Sequence, residues 1–325
     1  MALILHVLYR VHVFCVCAES LRKFGWITAL AGMHEPALEE IEVSLPDNLM
    51  VLTDLDGSLL DHHSYDWQPA AGWLRFLREQ RVPVIANTSK TAAELGTLRQ
   101  ELGLTDYPCV VENGGCVLLP PGWRATADPA MDEQGWTRIH LGADYATLRR
   151  AVAALREEHG YAFRGFADLG VEGVQQSTGL PLAKAQQAHA REASEPLLWE
   201  DSEARLTAFR QALQQQGLSL VRGGRFYHVT GRSSKGVALT WLAGRYHQLH
   251  GVQPLTLALG DGANDLPMLA TARYGVLIRG ADYQPLLPSF MDDPSRLYRT
   301  ASTGPTGWVE GLDYWLVAGL EHNNE

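Results

Sequence analysis

The sequence is poor in cysteine and has no cluster of positive charge, and each of these shortages excludes a class of protein. Its 325 residues include four cysteines, none of them in a C-x-x-C pair. Isolated thiols at this frequency are typical of a protein in a reducing cytoplasm rather than of a secreted disulfide scaffold. The formal net charge of −10 argues against nucleic-acid or membrane partners, but a small anionic substrate needs only a few local cations. The cysteines are Cys15, Cys17, Cys109 and Cys116.

The N-terminus lacks an uninterrupted apolar run. Residues 1–18 are largely apolar, but His6, Arg10 and His12 interrupt them. An arginine at mid-membrane costs about 2.5–3.5 kcal/mol, and the run is short for a membrane span. A signal peptide would carry its positive charge before the apolar stretch, and no basic residue precedes this one. We therefore expect residues 1–46 to be an extension outside the folded core, with Met33 as an alternative start.

A dinucleotide-binding motif is also missing. The string "GDGAND" (260–265) has Asp265 where G-x-G-x-x-G needs its third glycine. No G-x-G-x-x-G opens a helix after a predicted strand, and this excludes a dehydrogenase that binds a nicotinamide dinucleotide.

Short apolar runs alternate with helical patterns from residue 47, which predicts an α/β fold with a parallel sheet. The clearest strands are 49–53, 82–89, 109–111 and 255–260, and a capping box of Thr91 and Glu94 begins a helix. The pattern changes after residue 124, and we assign 125–229, including the strand-like "TRIHL" (137–141), to an inserted α/β cap. The prediction is a Rossmann-like core, residues 47–124 and 230–325, interrupted by this cap.

Polar residues follow the predicted core strands where each strand ends. Asp54 and Asp56 follow the first strand, Thr88 and Ser89 end the second, and Asp261 and Asp265 follow the strand at 255–260. Lys235 opens a predicted helix. Because ligand sites of open parallel sheets form at the carboxyl ends of their strands, we expect these residues to form one site.

The four aspartates predict a bound cation. If they converge, each pair about 4 Å apart repels by about 4 kcal/mol at an effective dielectric constant of 20. Such a cluster of Asp54, Asp56, Asp261 and Asp265 is tolerable if a hard cation neutralises it. Carboxylate oxygens with open coordination positions suit Mg²⁺, which also accepts a phosphate oxygen.

A phosphate held beside these carboxylates indicates phosphoryl-transfer chemistry. Asp54, ionised at neutral pH, would attack phosphorus, and Asp56 would protonate the leaving oxygen and later deprotonate water. A hydroxyl, from Thr88 or Ser89, and the ammonium of Lys235 would hold the equatorial oxygens of the transferred group.

These motifs together resemble the haloacid dehalogenase superfamily of phosphohydrolases: D-x-D-G, a Ser/Thr strand end, a lysine, then G-D-x-x-x-D. The inserted unit resembles the α/β cap of the sugar-phosphatase branch. Six strings resemble mannosyl-3-phosphoglycerate phosphatases in particular, and this similarity covers about residues 48–318. The strings are "SYDWQPA", "TSKT", "VENGG", "REASEP", "GGRFYHV" and "ALGDGANDLPML".

The resemblance implies a role for each motif residue. Asp54 would be the nucleophile and Asp56 the acid/base, and Asp54, the Asp56 carbonyl and Asp261 would hold Mg²⁺ with support from Asp265. Ser58 stands where this family more often has threonine. The implied reaction is the hydrolysis of mannosyl-3-phosphoglycerate to mannosylglycerate and phosphate.

Specificity for such a substrate has to come from the cap, since the core motifs bind only phosphate and metal. A glycosylated phosphoglycerate offers a carboxylate and sugar hydroxyls, which arginine, carboxylate and amide groups recognise. We expect Arg225, after two glycines, to bind the glycerate carboxylate. The cap candidates are Arg191, Glu192 and Ser194 of "REASEP" and Arg225 and His228 of "GGRFYHV".

Three alternatives remain open from the sequence. The enzyme could instead hydrolyse glucosyl-3-phosphoglycerate or another sugar phosphate, or it could be a phosphomutase that regenerates its phosphoenzyme from a bisphosphorylated activator. A catalytically silent sugar-phosphate-binding protein is disfavoured because Asp54, Asp56, Lys235 and Asp261 are all present.

Overall fold

The computed structural model describes residues 45–223, 225–280 and 293–318. The predicted N-terminal extension, with Cys15, Cys17 and Met33, lies outside these residues except for its last two positions. Within the described part of the chain, no helix is both long enough and apolar enough to cross a membrane.

Strands and helices alternate along most of the chain. The strands are β1 Leu49–Thr53, β2 Val84–Asn87, β3 Cys109–Val111, β4 Cys116–Leu119, β5 Thr137–His140, β6 Phe163–Gly165, β7 Ser194–Trp199, β8 Ser219–Arg222, β9 Tyr227–Thr230, β10 Leu255–Gly260, β11 Tyr274–Arg279 and β12 Leu297–Thr303. The α-helices are α1 Ala71–Glu79, α2 Ala92–Glu101, α3 Tyr145–His159, α4 Phe166–Thr178, α5 Leu182–His189, α6 Glu203–Gln215, α7 Lys235–His250, α8 Leu266–Thr271 and α9 Gly304–Leu312.

The larger sheet of the described residues has eight strands in the order β12-β11-β10-β1-β2-β3-β4-β5. Its strands from β12 to β3 are parallel, and β4 and β5 continue the sheet antiparallel. The predicted α/β fold with a mainly parallel sheet is therefore confirmed. The first strand, β1, lies between β10 and β2. The three predicted motifs that follow these strands therefore start at neighbouring strand ends.

Both faces of the larger sheet are buried. Leu49 and Val51 of β1 pack into the hydrophobic cluster on one face with Trp308, whereas Met50 and Leu52 pack into the cluster on the other face with Leu242. Parallel strands covered on both faces read as continuous apolar runs, and this is why β1 was evident in the sequence.

The smaller sheet has four antiparallel strands in the order β6-β7-β9-β8. One of its faces packs against α3 and α6 through side chains such as Leu197, Val229, Leu148 and Phe209. The strand at Thr137–His140 differs from the prediction: we placed it in the cap, but it pairs with β4 in the larger sheet. Its burial falls from buried Thr137 to exposed His140, which suits the edge of either sheet, and only the tertiary pairing decides between them.

A buried glutamate ties the smaller sheet to the larger one. Glu112, which follows β3, accepts hydrogen bonds from the backbone N–H groups of Glu192 and Ala193 at 2.9 and 3.1 Å. The hydroxyl of Ser194, the first residue of β7, donates to the same carboxylate at 2.7 Å. The segment that enters the smaller sheet is thus fixed to the carboxyl end of a core strand.

Candidate active site

The predicted core residues converge at the carboxyl ends of β1, β10 and β2. Thr53 is opposite Leu259 in the parallel β1–β10 register, so Asp54 and Asp261 follow neighbouring strands. The backbone N–H of Asp54 donates to the Leu259 carbonyl at 2.9 Å. Carboxylate oxygens of Asp54, Asp261 and Asp265 lie within 4.8 Å of one another.

Lys235 is the cation at the centre of these carboxylates. Its Nζ lies 2.7 Å from Asp54 Oδ1 and 2.6 Å from Asp265 Oδ1, and its side chain is fully buried. Burial alone would lower the pKa of Lys235, but the carboxylates of Asp265 and Asp54 outweigh it and hold that pKa above its ordinary value. The lysine is therefore charged, and it aligns Asp54.

Asp265 is held from both sides. Its Oδ1 binds Lys235, and its Oδ2 accepts from the backbone N–H groups of Asp261 and Gly262 at 3.1 and 2.8 Å. Burial and the charge of Asp54 raise the pKa of Asp265 to about 6. With both oxygens engaged, Asp265 positions the loop and the lysine.

The pKa of Asp261 is raised further than that of Asp265. Burial, followed by the charges of Asp265 and Asp54, raises its pKa to about 8. Its Oδ1 accepts from the hydroxyl of Ser58 at 3.1 Å. Gly57 has a φ of +82°, and a Cβ at that position would overlap the Asp261 carboxylate. Only glycine permits this close approach of the two loops.

Asp56 is paired with a lysine to which the sequence assigned no role. Lys90 Nζ lies 2.7 Å from Asp56 Oδ2, while Asp56 Oδ1 is buried without a hydrogen-bond partner. Burial lowers the pKa of Lys90, but Asp56 and Glu94 outweigh this, so the pKa lies above its ordinary value. In the string "NTSK", Lys90 directly follows Thr88 and Ser89. The contact of Lys90 with Asp56 is evident only from the fold.

Thr88 and Ser89 both lie at the end of β2. The buried hydroxyl of Thr88 accepts from the backbone N–H of Lys90 at 3.2 Å, and Ser89 is partly exposed. The Ser89 carbonyl accepts from Arg191 at 2.9 Å. Either hydroxyl remains a candidate for the phosphate.

The residues present fit a hard divalent cation. Burial and the neighbouring carboxylates raise the pKa values of Asp261 and Asp265, and a cation would relieve the repulsion within this cluster. Their oxygen donors are those that Mg²⁺ prefers. Asp54 and Asp261 would hold it, because Asp265 already uses both of its oxygens.

The cap candidates from "REASEP" contact the core. The Arg191 guanidinium is nearly buried and lies 3.9 Å from Glu94 in addition to its bond to Ser89. Glu192 binds Arg138 of β5, and Ser194 binds Glu112, so these two side chains have structural partners. Of the three, Arg191 is the residue whose side chain binds the loop that carries Thr88 and Ser89, which we call the phosphate loop.

The two candidates from "GGRFYHV" have different surroundings. Arg225 is exposed and donates to the Ser177 carbonyl at 2.6 Å. His228 is buried, and its Nδ1 has no hydrogen-bond partner. Burial, with a smaller contribution from Arg191, lowers the pKa of His228 to about 3, so its imidazole is neutral. His228 pairs with Pro196 on the sheet face that also carries Ser194, opposite the face covered by α3 and α6.

Two asparagines contact each other beside the predicted site residues, and the backbone N–H of Asn113 donates to the Thr88 carbonyl at 2.9 Å. Asn264 Nδ2 donates to Asn113 Oδ1 at 3.0 Å, and the buried Nδ2 of Asn113 has no partner. Asn113 has a φ of +59°, which asparagine tolerates better than most residues. The strings "VENGG" and "GDGAND" contain these residues, but their contact joins positions 151 residues apart and no local pattern could reveal it.

Comparisons with known proteins identify the family and the fold of the chain. A family model of haloacid dehalogenase-like hydrolases matches residues 51–284. The sucrose-phosphatase from Synechocystis sp. PCC6803, solved with sucrose and phosphate, is 17% identical, with 82% of this chain and 98% of that chain covered and a TM-score of 0.54. BT1666 of Bacteroides thetaiotaomicron, from a study of phosphatases of the haloalkanoate superfamily, is 20% identical, covering 90% and 98%, with a TM-score of 0.57. At these identities the two structures show a shared fold.

Replacing Lys235 by methionine should destabilise the protein by about 3–5 kcal/mol at neutral pH, because it leaves two buried carboxylates without their cation. The loss should shrink as the pH falls through about 6, the raised pKa of Asp265, since protonation removes the charge of that carboxylate. Urea unfolding at several pH values measures this. Lys184→Met, at an exposed position, is the matched control and should change little. An equal loss in both variants would contradict the account.

The affinity for Mg²⁺ should rise with pH up to about 8, the raised pKa of Asp261, and level off above it. The reason is that a carboxylate must lose its proton to bind the ion. Calorimetric titration of metal-free protein over a pH series measures this affinity. Asp261→Asn should bind Mg²⁺ more weakly and lose the rise; a pH-independent affinity in the unaltered chain would refute the assignment of Asp261.

Proposed function

The chain belongs to the haloacid dehalogenase-like hydrolases, and on that premise we propose that it is a Mg²⁺-dependent phosphomonoesterase that works through an aspartyl-phosphate. The observation that carries the proposal is Asp54, buried at the end of β1 and aligned by Lys235 at 2.7 Å. A carboxylate held in this way is a preorganised nucleophile whose orientation needs no rearrangement before reaction.

In the first step, an oxygen of Asp54 forms a bond to the substrate phosphorus while the bond from phosphorus to the ester oxygen breaks. Asp56 gives its proton to that leaving oxygen. Because Lys90 holds Asp56 Oδ2 and Oδ1 has no hydrogen-bond partner, we assign the proton transfer to Oδ1. The products are an alcohol and a phosphorylated Asp54.

In the second step, water attacks the phosphorus of the phosphorylated Asp54. Asp56 Oδ1, now ionised, takes a proton from the water, and the bond between phosphorus and Asp54 breaks. Inorganic phosphate leaves, Asp54 is again a carboxylate and Asp56 is again protonated, so the cycle closes.

The other core residues bind and orient the phosphoryl group. Lys235, with Thr88 or Ser89, supplies positive charge and a hydroxyl to its equatorial oxygens. Asp54, the carbonyl of Asp56 and Asp261 would hold Mg²⁺, and Asp265 would keep Lys235 and the Asp261 loop in place. When bound, Mg²⁺ neutralises phosphate charge that the aspartates would otherwise repel.

We assign specificity to the cap and propose a glycosylated 3-phosphoglycerate, mannosyl-3-phosphoglycerate in particular, as the substrate. His228 supports a sugar: a buried neutral imidazole with an unpartnered Nδ1 is placed to exchange a hydrogen bond with a hydroxyl. Arg191, close to the phosphate loop through Ser89, supplies positive charge for the glycerate carboxylate. Because Arg225 is exposed, we assign it only a peripheral contact with the substrate.

The proposed compartment is the cytoplasm. Cys109 and Cys116, the two cysteines within the described residues, are free thiols, as expected in a reducing environment.

Phosphate release by the purified full chain tests the proposal. The panel is mannosyl- and glucosyl-3-phosphoglycerate, several sugar monophosphates and p-nitrophenyl phosphate, each with Mg²⁺ and with EDTA. We expect the highest kcat/KM for a glycosyl-phosphoglycerate and loss of all activity in EDTA. A phosphomutase would yield an isomeric sugar phosphate without releasing phosphate. Binding without turnover would indicate the silent protein, and full activity in EDTA would overturn the metal assignment.

His228→Ala should lower kcat/KM for the glycosyl-phosphoglycerate by about tenfold or more, which corresponds to about 1.4 kcal/mol of transition-state binding. Turnover of p-nitrophenyl phosphate should hardly change, because that ester has no sugar. Arg225→Ala is the matched cap variant and should cost less. Equal losses on both esters in His228→Ala would show that the histidine serves the fold or the phosphate instead.

A further inference from the structure

A second group of metal-binding side chains lies outside the carboxylate site. Cys116, His140 and Glu192 each offer one ligand atom, and these atoms all lie within 4.8 Å of one another. Cys116 begins β4 and is opposite His140 in the antiparallel β4–β5 register, so their side chains share one face of the larger sheet. Glu192 reaches them from the segment that leads into β7.

The Glu192 carboxylate is oriented for this contact. Its Oε1 binds Arg138 Nη1 at 2.5 Å, and its Oε2 lies 4.0 Å from His140 Nε2. Arg138 is itself held by Asp132 at 3.0 Å. The arginine therefore fixes the carboxylate through one oxygen and leaves the other beside the histidine, an arrangement of the kind that orients metal ligands.

We propose that Cys116, His140 and Glu192 form a second metal site, selective for Zn²⁺ or a similar borderline cation. A thiol, an imidazole and a carboxylate are the ligands of zinc, whereas Mg²⁺ prefers oxygen alone. Binding would replace the thiol proton of Cys116 with the metal and release that proton to solvent. Three protein ligands leave a fourth tetrahedral position for water.

The cluster can close around an ion with small movements. Bonds of about 2.0–2.3 Å to a tetrahedral zinc place ligand atoms about 3–4 Å apart, so a shift of about 1 Å suffices. The side chains of His140 and Glu192 are 42% and 24% exposed, which gives them room to move and gives the ion a path of entry. Cys116 is buried and supplies the fixed point.

A metal ion at this site would strengthen the attachment of the segment that leads into β7. Glu192 belongs to the segment that Glu112 already fixes through the N–H groups of Glu192 and Ala193. A bound ion would add a link between that segment and strands β4 and β5. This link would add to the bonds that the segment already makes to Glu112 and to Arg138 of β5.

Titration with Co²⁺ tests the site, because a cobalt–thiolate bond gives a charge-transfer absorption that oxygen and nitrogen ligands do not give. The protein is the reduced, tag-free full chain, saturated with Mg²⁺ so that the carboxylate site is occupied. Cys15 and Cys17 are replaced by serine in all samples, since their thiols could contribute. We expect the band to saturate at one equivalent of Co²⁺ and to disappear when Zn²⁺ is added.

Variants assign the signal to its ligands. Cys116→Ser should abolish the band, and His140→Ala, a change at an exposed side chain, should weaken Co²⁺ binding by about tenfold or more. Cys109→Ser, at a second buried thiol outside the cluster, should leave the band unchanged. The proposal fails if the unaltered cluster gives no band, or if the band survives Cys116→Ser. It also fails if His140→Ala binds Co²⁺ as tightly as its parent.

Discussion

The contact between the Lys235 ammonium and the carboxylates of Asp54 and Asp265 is the constraint on which the site depends. Three aspartates cannot be brought together at the ends of β1 and β10 without a counter-charge, and Lys235 provides it at 2.7 and 2.6 Å. The same contact orients Asp54, the proposed nucleophile, and, through Asp265, the backbone of the Asp261 loop. The proposed catalytic geometry and the electrostatic stability of this region therefore depend on the same contact.

The rest of the fold holds the residues of that contact in position. Apolar packing on both faces holds β1 between β10 and β2, and this fixes the loops that carry Asp54, Asp261 and Thr88. Glu112 and Arg191 then fasten the entry to the smaller sheet beside the same strand ends. In the proposed function, substrate selection lies in the cap and the phosphate chemistry in the core.

The sequence predicted the features that depend on local pattern. The apolar run of β1, the capping box of Thr91 and Glu94 and the placement of Lys235 at a helix start follow from residues close in the chain. The pairing of β5 with β4, the Lys90–Asp56 contact and the burial of Glu112 depend on residues far apart, so no local pattern contained them. Arg225 shows the same limit: its neighbouring glycines suggested a ligand contact, but its partner is the Ser177 carbonyl.

The central claim is that Asp54 itself becomes phosphorylated. Quenching the enzyme during turnover and reducing it with borohydride converts an aspartyl-phosphate to homoserine, which peptide mass spectrometry locates. The account predicts homoserine at position 54 in the turning-over enzyme, dependent on substrate and Mg²⁺, and none in Asp54→Asn. Unmodified Asp54 together with undiminished phosphate release, or homoserine at another aspartate, would contradict it.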